Sequence, residues 1–173
     1  MFNNYDFMIF EKGTIMQKEK VLSKLIYDMV CFLDEHRDSE FYALALDCNM
    51  EYATFLICMN TPENFASTLK QYQAKYKKYT EEKWIRKLRY NPGDWKYRAI
   101  TEVNLFEEDE LTARYQDDID RQCEEMKSLC NEILCDFRQT EAFERIPKTP
   151  DFITFCIDHD EDVEDVLKRQ MHI

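Results

Sequence analysis

Glycine and proline are scarce in this chain: its 173 residues hold two glycines and four prolines. With only Gly13 and Gly93 available, no glycine-rich loop can cradle a phosphate, so nucleotide-binding motifs of that kind are excluded. The same scarcity excludes collagen-like and low-complexity chains. Histidine is sparse as well. His36 lies in the charged run Asp34-Glu35-His36-Arg37, His159 stands far from it, and His172 is next to the last residue. A serine or cysteine nucleophile needs a base within reach and a third group to orient it, and these histidines offer poor material. No G-x-S-x-G or H-E-x-x-H pattern occurs. The expectation is no catalytic residue and no cofactor.

Close cysteine pairs are also missing. Cys31, Cys48, Cys58, Cys123, Cys130, Cys135 and Cys156 are odd in number and too few for a disulfide scaffold, and none forms a C-x-x-C. A tetrahedral zinc site needs ligand pairs presented from one turn, so no metal is expected. These cysteines sit mostly in apolar runs and read as reduced thiols acting as small hydrophobes, which points to a reducing compartment. Long apolar runs are absent. Phe41–Leu46 and Phe55–Met59 fall far short of the roughly 20 residues that span a bilayer. Met1–Lys12 carries Asp6 and Glu11 and does not read as a signal peptide. Cytoplasm, without membrane contact, is the expected location.

What the chain does hold is apolar residues at 45% and aromatics at 14%. That suffices for one core, and residues 1–173 read as a single domain. Net charge is −12, unevenly spread. Residues 69–98 carry ten basic and three acidic side chains, whereas residues 99–173 carry eight basic and 21 acidic ones. Such separation sets up a field that steers a charged partner, or else complementarity between helices of the same fold.

Periodicity gives the elements. Leu22, Leu25, Ile26, Met29, Val30 and Leu33 recur at helical spacing, predicting an amphipathic helix from about Thr14 to Arg37. Phe41–Cys48 and Tyr52–Met59 read as buried strands joined at Asn49-Met50-Glu51, with Asn49 taking the turn conformation. Asn60 or Thr61 would cap the next helix, with Pro62 in its first turn. Phe65, Leu69, Tyr72, Tyr76 and Tyr79 then form one continuous stripe, read as packed. Asn91-Pro92-Gly93-Asp94 is a turn that would join Ile85–Tyr90 to Trp95–Val103 as strands. A long helix is predicted from Glu107 to about Thr140, with Leu111, Tyr115, Ile119, Cys123, Met126, Cys130, Ile133 and Phe137 on one face. Asp151–Asp158 reads as a last strand and Asp160–Arg169 as a closing helix. The predicted class is α+β, with a small, mainly antiparallel sheet of four to five strands packed by two long and two shorter helices.

Three charged groupings carry chemistry. Asp158-His159-Asp160-Glu161-Asp162 has the side chains of a divalent-cation site, but Asp158 or Asp160 as a helix cap accounts for it without metal. Lysines and arginines interleave with tyrosine and tryptophan from Tyr72 to Tyr97, as in strand-tracking nucleic-acid grooves, yet the acidic whole repels a polyanion. Glu108, Asp109, Asp117, Asp118 and Asp120, with Asp158, His159 and Asp160, form the candidate partner-binding set. Such acidic groups steer and occlude a basic protein, or simply solvate a helix exterior.

Phe41-Tyr42-Ala43-Leu44-Ala45-Leu46, Asn60-Thr61-Pro62-Glu63, the run Leu88-Arg89-Tyr90-Asn91-Pro92-Gly93-Asp94-Trp95-Lys96-Tyr97 and Phe155-Cys156-Ile157-Asp158-His159-Asp160-Glu161 occur in this order. Together they resemble the bacterial domain-of-unknown-function family 4303 over nearly the whole chain. The family has no established activity, and its members look like small acidic proteins found beside polymorphic toxins. That resemblance implies an immunity protein and a protein partner such as a basic toxin domain. In the turn core Arg89, Asn91, Pro92, Gly93, Asp94 and Trp95, the ring of Trp95 would anchor the turn by burial, and Arg89 and Asp94 would pair. The expected function is a non-catalytic protein-binding domain. The alternative is an enzyme or small-ligand domain using Asp158, His159 and Asp160 beside the sheet.

Overall fold

The computed structural model describes residues 4–170, with side chains described from Gln17 to Arg169; His172 lies outside them. Helix α1 (Asn4–Glu35) leads into β1 (Phe41–Asn49), which turns through the 3-10 segment Met50–Tyr52 into β2 (Thr54–Asn60). Next come α2 (Pro62–Lys75), a 3-10 turn at Lys77–Thr80, α3 (Glu82–Arg89), a second 3-10 turn at Pro92–Asp94, and β3 (Tyr97–Asn104). The chain ends with α4 (Glu108–Tyr115), α5 (Ile119–Phe137), α6 (Glu141–Glu144), β4 (Lys148–Asp158) and α7 (Val163–Gln170).

The four strands form one sheet in the order β3-β2-β1-β4. The β1–β2 and β2–β3 pairs are antiparallel, whereas β4 runs parallel to β1. The fold is α+β with a mixed, mainly antiparallel sheet, as the sequence predicts. β1 is apolar on both sides because it is covered on both sides, the expected pattern for a central strand. On one face Leu44, Leu46, Phe55, Ile57 and Met59 meet Val21, Leu25, Met29 and Leu33 of α1 and Met126, Cys130, Ile133 and Phe137 of α5. On the other, Ala43, Ala45, Cys58, Phe155 and Ile157 meet Trp95 and the Val163, Val166 and Leu167 side of α7. The small alanines leave room there for large rings: Trp95 stands edge-on to Phe155 and to Tyr42, both with centroids 6.0 Å away. Cys48, Cys58, Cys130 and Cys156 are buried free thiols, as read, but Cys31 and Cys135 are exposed. Burial pushes the Cys58 thiol up to about 11.

Four local readings are corrected. Within the segment 85–90, residues 85–89 are helical in α3 and Tyr90 is its C-cap, so no strand forms there. Ile85 and Leu88 sit on one helical face with Leu88 buried, and Arg86, Lys87 and Arg89 in the last turn suit the negative end of the dipole. The helix expected over 107–140 is divided, because Gln116 (φ 49°) and Asp117 (φ 67°) take left-handed conformations and Asp118 starts a new helix by accepting from Arg121 N at 3.2 Å. The break re-phases the stripe: Gln122 is buried and Ile119 is 45% exposed. The tyrosine stripe does not pack into the core. α2 stops at Lys75 with none of its residues buried, and Tyr72, Tyr76 and Tyr79 pack on one another, Tyr72 edge-on to Tyr79 at 4.9 Å. In the hairpin, Ala53 (φ 48°) makes the left-handed step while Asn49 stays extended. The start of α2 is as predicted, with Thr61 Oγ1 accepting from Asn64 N at 3.2 Å.

Candidate protein-binding surface

Three segments distant in sequence converge at one corner. Gln122, buried near the start of α5, donates from Nε2 to the carbonyls of Glu51 (2.6 Å) and Met50 (3.2 Å), fastening that helix to the hairpin tip. The end of β4 is tied to the same tip. Asp158 accepts from Met50 N at 3.3 Å and from His159 N at 2.9 Å, and His159 N also donates to Cys48 O at 2.8 Å. Half-buried Cys123 lies between the segments. Its thiol is pushed up first by burial and then by the charges of Asp158, Glu51 and Asp120.

The segments that meet at this corner expose both carboxylates and apolar side chains. Glu51, Asp117, Asp118, Asp120, Glu124, His159 and Asp160 are exposed. Tyr52 and Ile119 show 66% and 45% of their surfaces, two of the four exposed large apolar side chains among the described residues. Ion pairs at α5 and α7 use Glu125, Lys127 and Glu161, and none among the described residues uses Glu51, Asp117, Asp120, Glu124 or Asp160. Glu108 and Asp109 do not join this corner. They sit at the start of α4, eight residues long, so about 12 Å of helix separates them from Asp117.

The C-terminal acidic run is divided in role. Glu161 binds Arg169 on both oxygens and Lys127 at 3.3 Å; burial opposes its ionisation, but these cations hold its carboxyl below the usual range. Asp162 pairs with Lys87 at 2.5 Å and accepts from Glu164 N at 2.8 Å. The cap of α7 is therefore Asp162, not Asp158 or Asp160, because the two-residue turn after β4 delays the helix start. Among the described residues no group of three or more His, Cys, Asp or Glu is placed to hold a metal ion.

The turn core is a fastening. The expected Arg89–Asp94 pair does not form. Arg89 Nη2 donates to Asp151 at 2.7 Å, and its guanidinium lies over the rings of Tyr42 (4.3 Å), Phe65 (5.4 Å) and Tyr90 (5.6 Å). Asp94 instead accepts from Tyr72 Oη and from Asn91 Nδ2 at 2.6 Å, and the bond from Tyr72 pushes that phenol up to about 12. Asn91 also caps the turn that Pro92 and Gly93 make, Oδ1 accepting from Gly93 N at 3.4 Å. Trp95, 4% exposed, donates from Nε1 to Arg89 O at 2.9 Å, the carbonyl that also accepts from Tyr42 Oη at 2.6 Å. Asn60 completes the group, donating to Tyr42 Oη at 3.1 Å. α3 and its turn are thereby bolted to the sheet.

Sequence reasoning passed over Tyr52, Ile119 and Asp47. The first lay beside a turn and the second inside an apparent core stripe. Asp47 interrupts an apolar strand at the sheet's centre; burial pushes its carboxyl up, and His159 and Arg98 partly offset this. A cleft of about 450 Å³ between α1, α4 and α5 includes Lys18, Arg114 and Met126. Lys18 there is bound to Glu132 (3.0 Å) and Asp136 (2.9 Å), so its charge is spent within the fold.

No described helix is long and apolar enough to cross a membrane. Comparison with curated proteins and with solved structures gives no match. The family model of the domain of unknown function DUF4303 matches residues 25–172, a span that takes in every strand and the whole turn core. The chain therefore belongs to the DUF4303 family of domains of unknown function.

Proposed function

We propose that this protein is a non-catalytic, cytoplasmic protein-binding domain that neutralises a basic toxin domain, as an immunity protein does. The observation that carries the reading is that the hairpin tip, the α4–α5 junction and the end of β4 meet at one corner and expose Tyr52 and Ile119 together with carboxylates from all three. Tyrosine at the centre of an interface supplies binding energy once water is excluded, and a surrounding field of one sign speeds encounter with a partner of the other. Among the described residues Glu51, Asp117, Asp120, Glu124 and Asp160 enter no ion pair, so their field acts outward. The net charge of −12 extends that field over the molecule.

The test is to search beside the gene for a toxin-like reading frame and to co-express its product with this protein, the absence of any such frame counting against the reading. The wild-type protein should restore growth and elute with the toxin as one complex. Glu51→Lys/Asp120→Lys/Glu124→Lys, which removes no side-chain hydrogen bond seen among the described residues, should lose both. A wild-type protein that neither protects nor forms a complex ends this reading.

A further inference from the structure

A second charged surface lies on the arm made of α2, the Lys77–Thr80 turn and α3. α2 is fourteen residues long and buries none of them. Lys70, Lys75, Lys77 and Lys78 are exposed. The ion pairs of this region join Arg86 to Glu164, Lys87 to Asp162 and Arg89 to Asp151, leaving those four lysines outside them. Tyr76 stands among the lysines with 54% of its surface exposed. An arm that presents an apolar ring and exposed lysines outside the ion pairs of the described residues is one half of an interface.

The chemistry of the other half follows from which ring faces are open. A single-stranded nucleic acid needs several free faces on which to stack bases. Here Tyr72 and Tyr79 are spent on each other, and Lys78 Nζ covers Trp84 at 4.1 Å from the ring centre. The chain's net charge also opposes a polyanion. A protein surface that exposes both carboxylates and apolar side chains fits instead, and the chain carries one: Tyr52 and Ile119 with Glu51, Asp120 and Glu124. Three of the four exposed large apolar side chains among the described residues lie on these two oppositely charged patches. We propose that the α2–α3 arm of one copy docks on the acidic corner of a second copy. The contact covers the corner assigned above to a basic partner, so self-association and partner binding exclude each other. The inference rests on that corner being a docking surface, not on the partner being a toxin.

The test is solution mass against concentration at low and high salt. Wild-type protein should rise above one chain at low ionic strength and return to one chain when salt screens the contact. Lys75→Glu/Lys77→Glu/Lys78→Glu and Glu51→Lys/Asp120→Lys/Glu124→Lys should each stay at one chain. An equimolar mixture of the two should associate again, because each supplies the surface that complements the other; this recovery also shows that both variants are folded. A wild type that stays at one chain throughout overturns the proposal, as does a mixture that fails to associate or an association indifferent to salt. Binding of a short single-stranded oligonucleotide by the arm in place of self-association overturns it too. The arm variant separates this inference from the proposed function, since it should lose self-association while still protecting against the toxin.

Discussion

Tyr42 and Asp47, five residues apart on one central strand, show opposite ways of burying a polar group. Tyr42 is completely buried, and its hydroxyl is satisfied twice, donating to Arg89 O and accepting from Asn60 Nδ2. Tyr42→Phe would leave the amide of Asn60, itself 1% exposed, without that acceptor. The expected loss is about 1–3 kcal/mol, the cost of one orphaned buried donor, read from the urea midpoint. A midpoint equal to wild type would mean that the hydroxyl fastens nothing. Among the described residues no side-chain hydrogen bond of Asp47 matches this, and burial pushes its carboxyl up. An acid whose folded pKa is raised keeps its proton more readily in the fold than in the unfolded chain. Its contribution thus favours folding at low pH and is lost as pH rises from the ordinary carboxylate value through the raised one. Asp47→Asn should melt above wild type at neutral pH, with the difference closing below the normal carboxylate range. A lower melting temperature at neutral pH would show that the ionised group is held by a favourable contact, with Arg98 and His159 as the nearest charges.

Elements were legible where local chemistry and tertiary packing agree. The Thr61-Pro62 start of α2, the β1–β2 hairpin and the latter half of α5 follow from capping, alternation and period, and the fold keeps all three. α3 was misread because an Asn-Pro-Gly-Asp turn signal suggests a hairpin, whereas the turn joins a helix to a strand. The division of α4 from α5 was hidden because Leu111, Tyr115 and Ile119 keep perfect helical spacing across it. Only the left-handed backbone at Gln116 and Asp117 reveals the break, and no side chain there announces it. That division also hid half of the candidate surface, since it is what turns Ile119 outward. Gln116→Gly removes the Cβ that a left-handed residue disfavours and should raise stability by about 0.5–1 kcal/mol in chemical denaturation. A loss of that size would mean that the Gln116 side chain contributes more than its backbone conformation costs.

At the scale of the whole molecule the charge separation seen in the sequence becomes two surfaces. The excess of basic residues between 69 and 98 falls partly into ion pairs with α7 and β4, and the remaining lysines line an arm with no buried residue in α2. The complementarity that composition left open is therefore present within the fold, and the steering of a charged partner is the reading proposed for its surface. The acidic corner is only half legible: sequence names Asp117, Asp118, Asp120, Asp158, His159 and Asp160, but it is the tertiary contacts of Gln122 and Asp158 with the hairpin tip that bring them to Glu51 and Tyr52. Glu108 and Asp109, equally acidic, fall at the far end of α4. The central claim is that this corner, and not acidity in general, holds a basic partner. Its most direct measurement is the dissociation constant of the purified pair against ionic strength, for wild type, Glu51→Lys/Asp120→Lys/Glu124→Lys and a control with Glu108→Lys/Asp109→Lys. The expected result is wild-type binding that weakens steeply with salt, loss of at least about tenfold in affinity for the first variant and little change for the control. Equal affinities for wild type and the corner variant, or equal losses for both variants, would contradict it.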